Sequence, residues 1–76
     1  MEIKFKKGDI VITYYEYEVN KKYVVVKVDD PNVNMECFSG TCINTTNDNY
    51  DIGEYVPDWY KRVFKVASKI ERVLYG

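Results

Sequence analysis

The amino-acid sequence predicts one small, mostly β domain spanning residues 1–76, and three features carry this prediction. Two runs, 9–17 and 23–28, are dense in β-branched and aromatic residues, a composition typical of strands. Turn-forming residues separate these runs from each other and from a third β-rich stretch at 35–45. A chain of 76 residues with 46% hydrophobic composition has room for one modest core and for no second domain.

The first two strands are predicted on either side of a polar turn. Gly8 lies in a turn and is followed by the strand at 9–17, while the polar segment 18–22 suits the connecting turn. The segment 23–28 is the clearest strand in the chain. Its three consecutive valines, 24–26, predict either burial on both faces of a sheet or an edge covered by a loop.

The middle of the chain continues the β pattern with two interruptions. Proline and turn-forming residues at 29–32 end the second strand. In the strand at 35–45, Gly40 marks a bulge, a sharp bend or a tight turn. After a polar loop, residues 50–56 predict a short strand with a kink at Gly53.

The last third of the chain allows two interpretations. One is a helix over 58–74, because six apolar residues fall on one helical face: Trp59, Val63, Val66, Ala67, Ile70 and Leu74. The other is a short helical turn near 57–61 followed by a strand at 63–66, with Phe64 and Val66 facing inward. Periodicity alone favours the helix.

A resemblance to known proteins favours the second interpretation. The pattern that carries it consists of Phe5-x-x-Gly8-Asp9-x-Val11, Phe38-Ser39-Gly40-Thr41, Tyr50-x-Ile52-Gly53, Trp59 and Phe64. In this pattern the chain resembles a set of small phage-encoded proteins of mostly unassigned function, and its Gly8-Asp9-x-Val11 opening is similar to the first strand of SH3-like barrels. The resemblance covers about residues 5–66 and implies a five-stranded SH3-like barrel, with 67–76 as a C-terminal tail for which a helix is one option.

The residues needed for common catalytic sites are missing from the sequence. The chain contains no histidine, which removes the commonest general base and transition-metal ligand. It also lacks the glycine-rich phosphate-binding motifs. Asp48, Asp51 and Glu54 do not follow the spacing of a calcium-binding loop. We therefore expect neither an enzyme nor a bound metal or cofactor.

Cys37 and Cys42 have three interpretations. In a continuous strand, their separation places them on opposite faces as free thiols. If Ser39-Gly40 is instead a two-residue hairpin turn, they face each other at disulfide distance. Shared metal ligation in an oligomer is the third option, because two thiols alone do not complete a zinc site.

The sequence carries no targeting or membrane-spanning signal. The first seven residues lack the apolar stretch of a signal peptide, and no apolar run approaches a membrane span. We expect a cytoplasmic protein, in the host cell if it is phage-encoded.

Charge is distributed unevenly and suggests a binding role. Residues 29–58 contain seven acids and no lysine or arginine, whereas 59–76 contain five basic residues and one acid. This pattern fits either an ordinary solvated surface or an acidic face for a basic partner. The leading hypothesis is a phage accessory protein that binds and inhibits or redirects a host protein. Its expected contact residues are Asp48, Tyr50, Asp51, Glu54, Tyr55, Asp58 and Trp59.

Two alternative functions use other residues. An oligomeric sponge for a nucleotide signal would stack bases on Tyr14, Tyr15 or Trp59 and bind phosphates through Lys61, Arg62 or Lys65. A small nucleic-acid-binding barrel would use an aromatic and basic surface, for which the candidates are Trp59, Tyr60, Lys61, Arg62 and Lys65. The sequence pI of about 5.3 disfavours direct nucleic-acid binding.

Overall fold

A computed structural model describes residues 4–13 and 23–75 of the chain. Within these ranges the elements are β1 (Ile10–Thr13), β2 (Val24–Val28), β3 (Cys37–Thr45), β4 (Tyr55–Tyr60), a 3-10 turn (Lys61–Val63), β5 (Phe64–Val66) and helix α1 (Lys69–Tyr75). The predicted mostly β fold with five strands is confirmed. The predicted turn at 18–22 and the end of the first predicted strand, 14–17, lie outside the described residues.

The described strands form one antiparallel sheet in the order β4-β3-β2-β1-β5. β4 and β5 lie at opposite ends of this order, yet only the three-residue 3-10 turn joins them. The rings of Trp59 on β4 and Phe64 on β5 are in contact, with centroids 5.5 Å apart. The sheet is therefore strongly curled, and its two ends meet across the core.

Aromatic residues fill the inside of this curl. Phe38 is fully buried, and the rings of Phe5 and Phe64 each meet it edge-on with centroids 5.2 Å away. Edge-to-face pairs suit the charge distribution of aromatic rings. Small aliphatic and thiol side chains complete this core: Val11, Val24, Val26, Val28 and Cys42.

The valine run of β2 is buried on both faces of the sheet, as one of the two predictions stated. Val24 and Val26 belong to the aromatic core, whereas Val25 belongs to a second cluster with Ile12 and Ala67. β2 lies between β1 and β3 in the sheet. Because Ala67 follows β5 directly, the segment after β5 helps to cover the face of the sheet that carries Val25.

The predicted turn near 57–61 is placed too early. Residues 57–60 belong to β4, and the turn begins at Lys61. Trp59 and Tyr60 pair with Phe38 and Cys37 of β3, a long-range contact that overrides the local turn signal of Pro57-Asp58. The strand predicted at 63–66 is confirmed as β5.

Two details of the C-terminal third are also corrected. A helix over 58–74 is wrong, because helix begins only at Lys69; a helical tail within 67–76 is confirmed. The inward position predicted for Phe64 is confirmed, but Val66 is largely exposed. β5 is the last strand in the sheet order, and no described strand lies on its outer side.

β3 settles the arrangement of the cysteines. It is one continuous strand, so the hairpin turn at Ser39-Gly40 is wrong, and Gly40 instead marks an irregularity in the pairing with β4. Five residues of strand span about 16 Å, well beyond the Cα separation of a disulfide. Cys37 and Cys42 are accordingly buried free thiols.

Candidate functional site

The acidic part of the sequence folds into two separate groups. Nine-residue β3 spans about 26 Å. Asp29, Asp30 and Glu36 precede it, whereas Asp48, Asp51 and Glu54 follow it. Asp29 follows β2, and its N donates to Ser39 O, whereas Glu54 precedes β4 and its O accepts from Cys42 N. Because β2 and β4 pair with opposite edges of β3, the two acidic groups lie on different sides of this strand.

The second group lies on a loop, residues 46–54, which we call the acidic loop. Its entrance is organised by side chains, since Thr45 Oγ1 accepts a hydrogen bond from Asn47 N and Asn47 Oδ1 accepts one from Asn49 N. Short polar side chains often fold loops in this way. The loop is thus shaped largely by its own sequence.

A tight turn fixes the other half of the acidic loop. Glu54 N donates to Asp51 O, and Glu54 Oε1 accepts from Asp51 N at 3.1 Å. Gly53 has a φ of +92° and donates to Cys42 O at 2.7 Å, while Cys42 N donates to Glu54 O. The kink predicted at Gly53 is this turn, and the strand predicted at 50–56 begins only at Tyr55.

Three predicted contact residues line one depression of about 490 Å³. They are Asp48, Tyr50 and Asp51, and the remaining lining residues are Thr45, Thr46, Asn47 and Ile52. Ile52 was not predicted as a site residue, although it is 68% exposed. An aliphatic residue between two acids in a polar turn was the signal that could have identified it.

The two tyrosines among the predicted contact residues are placed differently. Tyr50 is half-buried, and its ring packs on Trp59 with centroids 5.0 Å apart. Tyr55, the first residue of β4, is exposed and lies opposite Thr41. Both tyrosines are therefore accessible at least in part, and Tyr50 is held in place by its contact with the core.

Trp59 is corrected from a contact residue to a core residue. It is only 5% exposed, and its Nε1 donates to Gly40 O at 3.0 Å. An aromatic residue is equally typical of a core and of an interface, so the sequence alone could not distinguish these two positions for Trp59. Asp58 is exposed but lies in the irregular stretch of β4 between Val56 and Trp59, away from the acidic loop.

The described members of the predicted anion-binding set, Lys61, Arg62 and Lys65, each contact another side chain of the protein. Lys61 is only 6% exposed, and its Nζ donates to Asn32 Oδ1 at 2.7 Å, so its predicted role as a surface phosphate contact is wrong. Lys65 forms an ion pair with Glu71, and Arg62 lies over the ring of Tyr60. The other predicted members, Tyr14 and Tyr15, lie outside the described residues.

The acidic loop also affects the chemistry of Cys42 beneath it. Burial raises the pKa of the Cys42 thiol, and the negative charges of Glu54 and Asp51 raise it further. Because the thiolate is the reactive form, this thiol is a poor nucleophile. Among the described residues, no group of three or more acidic or cysteine side chains is placed to hold a metal ion.

Comparisons of the chain with protein-family models, curated proteins and solved structures give no significant match. Within the described ranges, no helix has the length and apolar character needed to cross a membrane. The acidic loop is therefore interpreted from its own geometry and charge.

Proposed function

We propose that this chain is a non-catalytic protein-binding domain whose acidic loop contacts a basic surface on its partner. The observation that carries the proposal is the shared depression of Asp48, Tyr50 and Asp51, with exposed Ile52 at the same place. Carboxylates steer a basic partner and set its orientation, while aromatic and aliphatic side chains supply contact area. The proposed contact surface is the acidic loop together with Tyr55.

The resemblance to small phage proteins suggests the setting. We propose a phage accessory protein that acts in the host cytoplasm and binds a host protein, which it inhibits or redirects. Proteins that bind nucleic acid are favoured partners, because their grooves are lined with lysine and arginine and an acidic surface can occupy them.

The acidic loop can be tested by charge reversal with a matched control. D48K/D51K changes the charge of the proposed contact surface, and D29K/E36K makes the same net change near the start of β3. No hydrogen bond or ion pair connects the side chains of these four residues to other described residues. Both variants should therefore keep the fold.

The experiment is affinity capture from bacterial lysate, followed by titration of each captured protein against the purified variants. We expect D48K/D51K to weaken binding at least tenfold, equivalent to about 1.4 kcal/mol, and D29K/E36K to have a much smaller effect. Equal loss in both variants would indicate a general charge effect. Unchanged binding by D48K/D51K would remove the acidic loop as the contact surface.

A further inference from the structure

Helix α1 presents apolar side chains to solvent. Ile70, Val73 and Leu74 are all exposed, Val73 to 84%, and their spacing places them on one side of the helix. The helix is held at its start by Ser68 and Glu71, which exchange hydrogen bonds of 3.0 and 3.2 Å. A helix whose first turn is capped and whose apolar side is exposed to solvent is typical of a docking surface.

A groove runs between α1 and the outer face of the sheet. It has a volume of about 470 Å³ and is lined by Ile10, Ile43 and Val73, with Lys69 and Arg72 also in its wall. The carboxylate of Glu71 forms its ion pair with Lys65. Among the described residues, no carboxylate forms an ion pair with Lys69 or Arg72. The groove therefore suits an aliphatic side chain flanked by carboxylates.

The acidic loop of the same chain has that chemistry. Ile52 projects from the tight turn at 51–54, with Asp51 and Glu54 on either side. Four main-chain and side-chain hydrogen bonds fix this turn, so little conformational entropy is lost when it docks.

We propose that the turn at 51–54 of one copy docks into the groove of a second copy. Ile52 would contact Ile10, Ile43 and Val73, while the acids beside it face Lys69 and Arg72. If two copies are related by a twofold axis, each turn fills the other copy's groove and the assembly closes as a dimer. Self-association would then cover part of the acidic loop and compete with the proposed partner.

The test is sedimentation velocity of the full chain from micromolar concentration to about 1 mM, the range of weak association. We expect concentration-dependent self-association that weakens with salt. I52D and V73D should each weaken it at least tenfold, since both residues are exposed and their replacement leaves the core intact. D29K/E36K should have little effect.

A charge-swap experiment tests the pairing itself. D48K/D51K makes the acidic loop basic, and K69E/R72E makes the groove acidic, so each variant alone should remain monomeric through like-charge repulsion. An equimolar mixture should associate again, because each loop then meets a groove of opposite charge.

The proposal is overturned if the protein remains monomeric at about 1 mM, if V73D and D48K/D51K leave association unchanged, or if the mixture does not associate. V73D keeps the entire acidic loop, so binding of a host partner can be measured on it separately. Failure of self-association therefore does not decide the proposed function.

Discussion

The indole of Trp59 on β4 forms a hydrogen bond to Gly40 on β3 where the pairing of these two strands is interrupted. The register between β3 and β4 shifts between Phe38 and Gly40, and β4 contains Pro57, which has no N–H to donate. At this point Trp59 Nε1 donates a buried hydrogen bond of 3.0 Å to Gly40 O. The tryptophan thus connects the two strands through its side chain and also supports Tyr50 at the acidic loop.

Replacing Trp59 with phenylalanine should destabilise the fold. W59F leaves the buried carbonyl of Gly40 without this donor, and an unsatisfied buried polar group costs about 1–3 kcal/mol. Urea unfolding followed by far-UV circular dichroism measures the loss. Y60F, at the exposed neighbouring position, should change the free energy of unfolding by less than about 0.5 kcal/mol. Equal stability of W59F and Y60F would contradict a structural role for the indole bond.

Gly40 should tolerate no side chain, for a reason other than its backbone angle. A Cβ at this position would lie 2.5 Å from the carbonyl oxygen of Lys27 and 2.6 Å from Val26 Cγ1. Because the first of these neighbours is backbone, G40A should cost about 2 kcal/mol or more in urea unfolding.

Gly53 provides the comparison, since a Cβ there would meet nothing within 4 Å and the only obstacle is its positive φ. G53A should cost about 1 kcal/mol. A smaller loss in G40A than in G53A would show that β2 and β3 can separate to admit the methyl group.

The strands could be predicted from the sequence because their cause is local. The valines of β2 and the β-branched residues of β1 favour extended backbone, and the turn-forming residues around them mark where each strand ends. The start of the turn after β4 could not be predicted, because Trp59 and Tyr60 are held extended by Phe38 and Cys37, more than twenty positions away. The same long-range packing moved Trp59 and Lys61 from the predicted sites into the interior.

The start of α1 was predictable, and a specific motif identifies it. Ser68-Lys69-Ile70-Glu71 is a capping box, in which Ser68 Oγ accepts from Glu71 N and Glu71 Oε1 accepts from Ser68 N. S68A should destabilise the helix by about 1 kcal/mol, and S68T should largely preserve it. Carbon chemical shifts of residues 69–74 measure the helix population. Equal shifts in S68A and the parent chain would contradict the role of the cap.

The capping box should also make α1 sensitive to acid. Hydrogen bonding from the Ser68 backbone, assisted by Lys65, holds the pKa of Glu71 below its ordinary value. A carboxylate with a lowered pKa stabilises the folded form above its unfolded pKa of about 4.3, and this contribution is lost as pH falls through the folded pKa. The carbon chemical shifts of residues 69–74 should move toward random-coil values over that pH range. E71Q, whose side chain cannot titrate at this position, should show no such step.

The acidic loop was predicted in part for a similar reason. Asp48, Tyr50 and Asp51 are close in sequence, and a loop that folds on its own side chains keeps them together. Asp58 was grouped with them by sequence distance, but the extended backbone of β4 carries it away. In the predicted anion-binding set, Lys61 donates to Asn32 and Lys65 pairs with Glu71, and neither contact could be read from the sequence.

The two thiols should resist alkylation in the folded protein. Cys42 is fully buried, its Sγ lies 3.6 Å from Asn44 O, and its pKa is raised by burial and by the acids of the loop above it. Cys37 is buried at the start of β3. Reaction then requires opening of the sheet, so at pH 8 we expect alkylation on the order of 100-fold slower than in guanidinium chloride.

M35C provides the positive control, because Met35 is 95% exposed on the loop before β3 and a thiol there should react at the rate of an unfolded chain. Intact-mass spectrometry counts the labels over time. Rapid labelling of Cys42 in the folded protein would show that the acidic loop opens readily and would weaken the case for a preformed contact surface. Slow labelling of both native cysteines beside fast labelling of M35C would show that β3 rarely opens beneath the acidic loop, as the hydrogen bonds between Cys42 and residues 53–54 imply.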